Sequence, residues 1–115
     1  MEMQKPDEGI RYIREALKAD PDDANARADL ARGLELKGET EAAVAEFQRA
    51  LAIDPSLNRL HYVLARLYRK MGKPELARRE SGIFQKKEAG ARRQQIERMK
   101  KLRELEGQRT GDAKP

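Results

Sequence analysis

The sequence contains no cysteine, no tryptophan and a single histidine, His61. Disulfides and thiolate metal sites are therefore excluded, although an absence of cysteine says little about the compartment. The lone histidine has neither a second ligand for a zinc site nor a nucleophile to activate. The eight glycines are scattered, and none falls in a phosphate-binding G-x-x-x-x-G-K loop. These gaps predict a protein that is not an enzyme and uses no cofactor or metal.

Long apolar runs are missing as well. No stretch approaches the ~20 apolar residues that a membrane span needs, and the first residues lack the apolar core of a signal peptide. The chain as given is therefore expected to be cytoplasmic. With 38% hydrophobic and 4% aromatic residues, a chain of 115 residues can build only a thin core. An elongated stack of small units suits this composition.

Apolar and small residues recur with a period of 34 positions. The first set comprises Leu30, Ala31, Leu34, Gly38 and Ala43. The residues 34 positions later are Leu64, Ala65, Tyr68, Gly72 and Ala77. The register extends backward to Gly9, Ile13 and Ala16, so the chain begins in the second half of a repeat. A unit of this length cannot bury its apolar face alone and must stack on its neighbours. The period therefore predicts a solenoid whose function is to hold another molecule.

The repeat also has a recognisable pattern. Leu30, Leu64, Tyr68, Ala43, Phe47 and Pro55 fall at positions of the motif W-x2-L-G-x2-Y, A-x3-F and P, and the sequence resembles the tetratricopeptide repeat family over about residues 7–88. Arg27 and His61 depart from it at the tryptophan position, and Ser81 replaces the last aromatic residue. The resemblance implies an all-α, right-handed α-solenoid of antiparallel helix pairs that acts as a protein-protein interaction scaffold.

The predicted organisation is an array over residues 1–88, a basic helix over 89–107 and a disordered tail over 108–115. The array divides into a half repeat at 7–21 and repeats at 22–55 and 56–88, which makes about two and a half units. Six helices are expected, at about 7–19, 23–37, 40–53, 57–71, 74–88 and 91–106. An aspartate after Pro21 (Asp22 or Asp23) and Ser56 are predicted to cap helices, and Gly38 and Gly72 to form left-handed turns. Beginning midway through a repeat indicates a piece of a longer protein, and the compartment is then unknown.

The family resemblance also implies which residues line the binding groove, namely positions 2, 5, 9 and 12 of each first helix. In this register they are Asn25, Ala28, Arg32, Glu35, Arg59, Tyr62, Arg66 and Arg69. Three arginines and a tyrosine share one helical stripe in the second set. Because a guanidinium pairs well with carboxylates, an extended acidic peptide is the predicted ligand. The alternative interpretation is a solvated basic face without a ligand.

Charge is divided unevenly along the chain. Residues 1–68 have a net charge of −3 and residues 69–115 a net charge of +8. The basic helix contains Arg92, Arg93, Arg98, Lys100, Lys101 and Arg103. It has no interleaved aromatic residues for base stacking, and its apolar residues step by three. We interpret it first as a partly packed capping helix and second as a contact for a partner helix. Binding of nucleic acid or an anionic membrane is a disfavoured alternative.

Two further alternatives follow from the repeat organisation. Self-association is one, because the opening half repeat leaves Ile10, Ile13 and Leu17 without a first helix of their own. A homo-oligomer would then form through the N-terminal half repeat. The other is a purely structural segment of a longer solenoid, with no ligand of its own.

Overall fold

The computed structural model describes the backbone of residues 6–113 and the side chains of residues 6–109. The described residues form five α-helices: α1 (Pro6–Ala19), α2 (Ala24–Leu36), α3 (Thr40–Ile53), α4 (Arg59–Lys70) and α5 (Pro74–Ala113). Helices α2 and α3 pair as one hairpin and α4 and α5 as a second, while α1 packs against α2. The fold is the all-α helical-repeat solenoid that the sequence predicts.

The turns within the two hairpins form as predicted. Gly38 has a φ of 84° and Gly72 a φ of 74°, in the left-handed region that glycine enters without steric cost. Between α1 and α2, the Asp23 side chain accepts a hydrogen bond of 3.0 Å from the Ala26 N–H and caps α2. Pro74 is the first residue of α5, where its missing N–H is not needed.

The predicted cap at Ser56 is wrong. The Ser56 hydroxyl and backbone N–H donate to Asp54 Oδ1 over 2.6 and 3.0 Å, and α4 begins only at Arg59. These two hydrogen bonds hold the pKa of Asp54 below its usual value, and the bond from the hydroxyl has the larger effect. The turn between the hairpins is therefore organised by a carboxylate from the end of α3, which the sequence pattern did not indicate.

Small residues bring the helices close together. Ala31, Ala43 and Ala50 are completely buried, as is Phe47 between them. Gly33, which the sequence analysis did not single out, marks the close approach of α1 and α2. A Cβ atom added there would lie 2.9 Å from Cγ1 of Ile10.

The expectation that Ile10, Ile13 and Leu17 of α1 are all uncovered is wrong. Ile10 and Leu17 are buried, and only Ile13 is partly exposed. The physical reason is that the Ile10 and Leu17 side of α1 faces α2, the next helix of the chain. These two residues therefore offer no surface for self-association.

Helix α5 is one continuous element of 40 residues, about 60 Å long, rather than the two helices expected at 74–88 and 91–106. No proline interrupts it, since Ala89 stands at the proline position of the repeat, and its interior glycines cost only about 1 kcal/mol each. Residues 91–109 are exposed throughout, so the expected partial packing of a cap is absent there. The helix passes the expected start of the tail at Gln108, and Lys114 and Pro115 lie outside the described residues.

Membrane-spanning helices are not found in the described part of the chain, because none of its helices combines sufficient length with sufficient apolar character.

Substitution of Ala43 by leucine tests the close contact of α2 and α3. We expect Ala43→Leu to lower the free energy of unfolding by about 1–3 kcal/mol, because the larger side chain has no space in a filled core. Urea denaturation followed by circular dichroism measures this value. Ala45→Leu, an identical change at an exposed position of the same helix, is the control. Equal effects of the two changes would contradict close packing at Ala43.

Candidate protein-binding surface

Four of the predicted groove residues lie on α4, and we call Arg59, Tyr62, Arg66 and Arg69 the α4 row. At 100° per residue they fall within an arc of about 80° of the helix. All four are exposed, and the side of α4 opposite to them carries the buried residues Leu60, Leu64 and Leu67. The helix therefore presents three cations and one aromatic ring along a single line.

The aromatic ring of this row is held in place by a second one. The Tyr62 and Phe84 ring centroids lie 5.6 Å apart, and the two ring planes are inclined by 47°. Phe84 is partly buried on α5, whereas Tyr62 remains 53% exposed. Tilted aromatic pairs of this kind are favourable beyond their area of contact. The pair forms a firm apolar surface in the middle of a basic row.

The third residue of the α4 row reaches across to α2. Two bonds, of 2.8 and 3.3 Å, join the Arg66 guanidinium to the carboxylate of Glu35. Glu35 raises the pKa of Arg66 above its ordinary value, chiefly through this hydrogen bond, so the arginine stays charged. Two of the predicted groove residues are thereby brought into direct contact, and their side chains link the two hairpins.

The other predicted groove residues have different surroundings. Arg32 pairs with Asp29 of its own helix at 2.8 Å, and Asn25 is exposed in the first turn of α2. Ala28 is only 3% exposed and adds nothing to the surface. Within the described residues, Arg59 and Arg69 take part in no ion pair. Of the three arginines in the α4 row, these two are the ones that a ligand can reach without displacing an ion-pair partner.

The predicted basic residues of α5 are exposed on the part of the helix that extends away from the two hairpins. They are Arg92, Arg93, Arg98, Lys100, Lys101 and Arg103. The described side chains include no cluster of three or more His, Cys, Asp or Glu suited to holding a metal ion.

Each hairpin contains a polar side-chain pair at the same repeat positions, and the sequence pattern did not predict these pairs. Arg27 Nη1 lies 3.1 Å from Glu46 Oε1, and His61 Nδ1 lies 2.6 Å from Glu80 Oε1. Arg27 and His61 occupy the tryptophan position of the repeat, and each contacts a glutamate 19 residues later. Both glutamates face the first helix of their hairpin, although the amphipathic pattern alone assigns Glu46 to solvent. The recurrence of a glutamate after 34 positions was the signal available.

Stacked helical hairpins of this kind define the class of helical-repeat proteins. The chain belongs to the tetratricopeptide repeat family, whose sequence pattern matches residues 1–58. It is also similar to the TPR repeat-containing thioredoxin TTL4 of Arabidopsis thaliana, with 36% identity over 72 residues. That match covers 63% of this chain and 11% of the relative.

Solved structures of MamA have the same fold. MamA of AMB-1 superposes with a TM-score of 0.70 at 26% identity, covering 76% of this chain and 52% of the other. MamA of MSR-1 gives a TM-score of 0.70 at 23% identity, with coverages of 75% and 49%. The chain spans about half the length of these structures. The tetratricopeptide repeat is a non-catalytic type of scaffold, and the chain is a protein-protein interaction scaffold of this type.

Loss of Glu46 tests the pair inside the first hairpin. We expect Glu46→Ala to lower the free energy of unfolding by about 2–3 kcal/mol, because Arg27 is left mostly buried without its partner. Chemical denaturation gives the measurement, with Glu41→Ala on the exposed side of α3 as the control. If Glu46→Ala cost no more than Glu41→Ala, the pair would be without structural importance.

Proposed function

We propose that the α4 row binds an extended, acidic segment of a partner protein. The observation that carries this proposal is the pairing of two exposed, unengaged arginines, Arg59 and Arg69, on either side of the ring of Tyr62. Ten positions of helix separate the arginines by about 15 Å. An extended chain covers that distance in about five residues. The ligand would therefore carry acidic side chains at both ends of a segment of this length.

Each part of the row has a distinct role in this proposal. Arg59 and Arg69 pair with carboxylates of the ligand, since the planar guanidinium can donate two parallel hydrogen bonds. Tyr62, supported by Phe84, receives an apolar side chain between them, because a rigid aromatic ring loses little conformational freedom on binding. The interaction scaffold thereby gains a preference for segments that alternate charge with an apolar residue.

Glu35 sets a limit on this preference. The Glu35 carboxylate is already hydrogen-bonded to the Arg66 guanidinium. An acidic ligand must therefore either displace this carboxylate or bind beside it. A negative charge next to the binding site also repels the ligand at short range. We therefore assign Glu35 a selective role, in which it weakens binding of segments that are acidic but otherwise poorly matched.

The basic part of α5 supports a second candidate function, because residues 91–109 are exposed throughout. Under this alternative, the basic side chains of α5 bind the phosphate groups of a nucleic acid or the charged groups of another anionic surface. Counterion release would then make the affinity fall steeply with salt. The absence of aromatic side chains from residues 91–109 disfavours base stacking, so this contact would not discriminate among sequences.

Charge reversal on α4 separates the two candidates. We expect the double variant Arg59→Glu/Arg69→Glu to weaken binding of acidic peptides by about tenfold or more, because two attractive contacts become repulsive. The probe is a labelled peptide with acidic residues at both ends and leucine in the centre, followed by fluorescence anisotropy at low and high salt. Arg92→Glu/Arg93→Glu is the matched control, with the same charge change on α5. Loss in the control but not in the α4 variant would contradict the proposal.

Removal of the Glu35 carboxylate should have the opposite effect. We expect Glu35→Gln to strengthen binding of the same peptide by up to about fivefold, since Arg66 then becomes available and a nearby repulsion disappears. Asp29→Asn, which removes the partner of Arg32 on the same helix, is the control and should leave the affinity nearly unchanged. An unaltered affinity for the Glu35→Gln variant would exclude Arg66 from the binding site.

A further inference from the structure

Helix α1 has a face that is covered in the corresponding helix of the complete repeat. Gly9, Ile13 and Ala16 lie 34 positions before Ala43, Phe47 and Ala50. In α3 all three residues have no exposed surface, because α2 packs over them. In α1 Gly9 and Ala16 are exposed and Ile13 is partly so. We call Gly9, Tyr12, Ile13 and Ala16 the open face of α1.

Tyr12 shows the same relation. It stands 34 positions before Glu46, which is 8% exposed and bonded to Arg27 of the first helix. Tyr12 itself is 76% exposed, because none of the described helices covers it. A shallow depression next to it is lined by Glu8, Arg11, Tyr12 and Glu15. This part of α1 therefore combines apolar surface with acidic groups at its edge.

A second unpartnered surface lies at the other end of the chain. Ile96, Met99, Leu102 and Leu105 are each about half exposed or more, and we call them the α5 apolar row. They recur every third residue and form a ridge that winds around the helix by about 60° at each step, with Met99 and Leu102 at its centre. The two surfaces do not meet within one chain, since α1 contacts only α2 among the described helices.

The shapes of the two surfaces match. Ridges of residues spaced by three pack into grooves between rows spaced by four, with the two helices at about 20° to each other. On α1, Gly9 and Ile13 form one such row and Tyr12 and Ala16 the neighbouring row. The small side chains of Gly9 and Ala16 leave the groove between them open. Met99 and Leu102, which lie about 60° apart around α5, are the ridge residues placed to enter this groove.

The charges of the two surfaces are opposite. Residues 91–109 contain seven basic and three acidic side chains, whereas residues 6–23 contain six acidic and three basic ones. Glu8 and Glu15 flank the open face on the same side of α1. Arg98 and Arg103 lie along the ridge of α5. Contact of two α5 helices would bring like charges together, and contact of α1 with α5 brings unlike charges together.

We propose that the open face of α1 binds the α5 apolar row of a second copy of this chain, so that copies associate head to tail. Such a contact is heterologous, because two different surfaces of the protein meet, and it either closes into a ring or continues as a chain. The proposal does not depend on the α4 row, which lies on a different helix.

Sedimentation velocity of the intact chain over a range of concentrations tests the association. The native chain should show a mass that rises with concentration above that of the monomer. Two variants should each weaken association at least tenfold: Ala16→Arg, which fills the open face with a cation, and Met99→Asp/Leu102→Asp, which removes the ridge. All three positions are exposed, so circular dichroism should show an unchanged fold. Ala45→Arg and Gln94→Asp/Gln108→Asp are the matched controls and should associate like the native chain.

Mixing the two variants distinguishes this contact from a symmetric one. Each variant alone should be monomeric, but an equimolar mixture should form a one-to-one complex, because one intact open face and one intact α5 apolar row remain. A mixture that stays monomeric would overturn the head-to-tail arrangement. A native chain that is monomeric at every concentration, or association that neither variant weakens, would overturn the proposal as a whole.

Discussion

Close contact between the two helices of each hairpin is the constraint on which the rest of the structure depends. Ala31, Ala43 and Ala50 are fully buried around Phe47, and these small side chains let α2 and α3 pack closely. Short turns at Gly38 and Gly72 make this approach possible. Because each hairpin is thin, only neighbouring units can complete its core.

The hairpins could be predicted because their signals are local. Gly38, Gly72 and Pro74 specify the turns through backbone geometry alone, and the apolar spacing on either side specifies the faces. The continuity of α5 could not be predicted in the same way, since Ser81 and Gly82 weaken the apolar pattern without breaking the backbone. A helix is interrupted by a missing hydrogen bond or a steric clash, and residues 81–90 provide neither.

The four members of the α4 row could be named from the sequence, because the family resemblance implies which positions of a first helix line the groove. The contacts of the row could not, because they join residues distant in sequence. Glu35 and Arg66 are 31 positions apart, and the stacking of the two hairpins through α3 and α4 decides that they meet. The pair of Arg27 with Glu46 also joins residues distant in sequence. It was missed because a charged residue on an amphipathic helix is normally assigned to solvent.

The binding of an acidic segment along α4 is the central functional claim, and it can be located residue by residue. The most direct measurement is an NMR titration of the isotopically labelled chain with the acidic peptide. The account predicts that amide shifts concentrate between Arg59 and Arg69, with further changes at Phe84 and at Glu35. Shifts confined to residues 91–109 would contradict it and would assign binding to the basic end of α5.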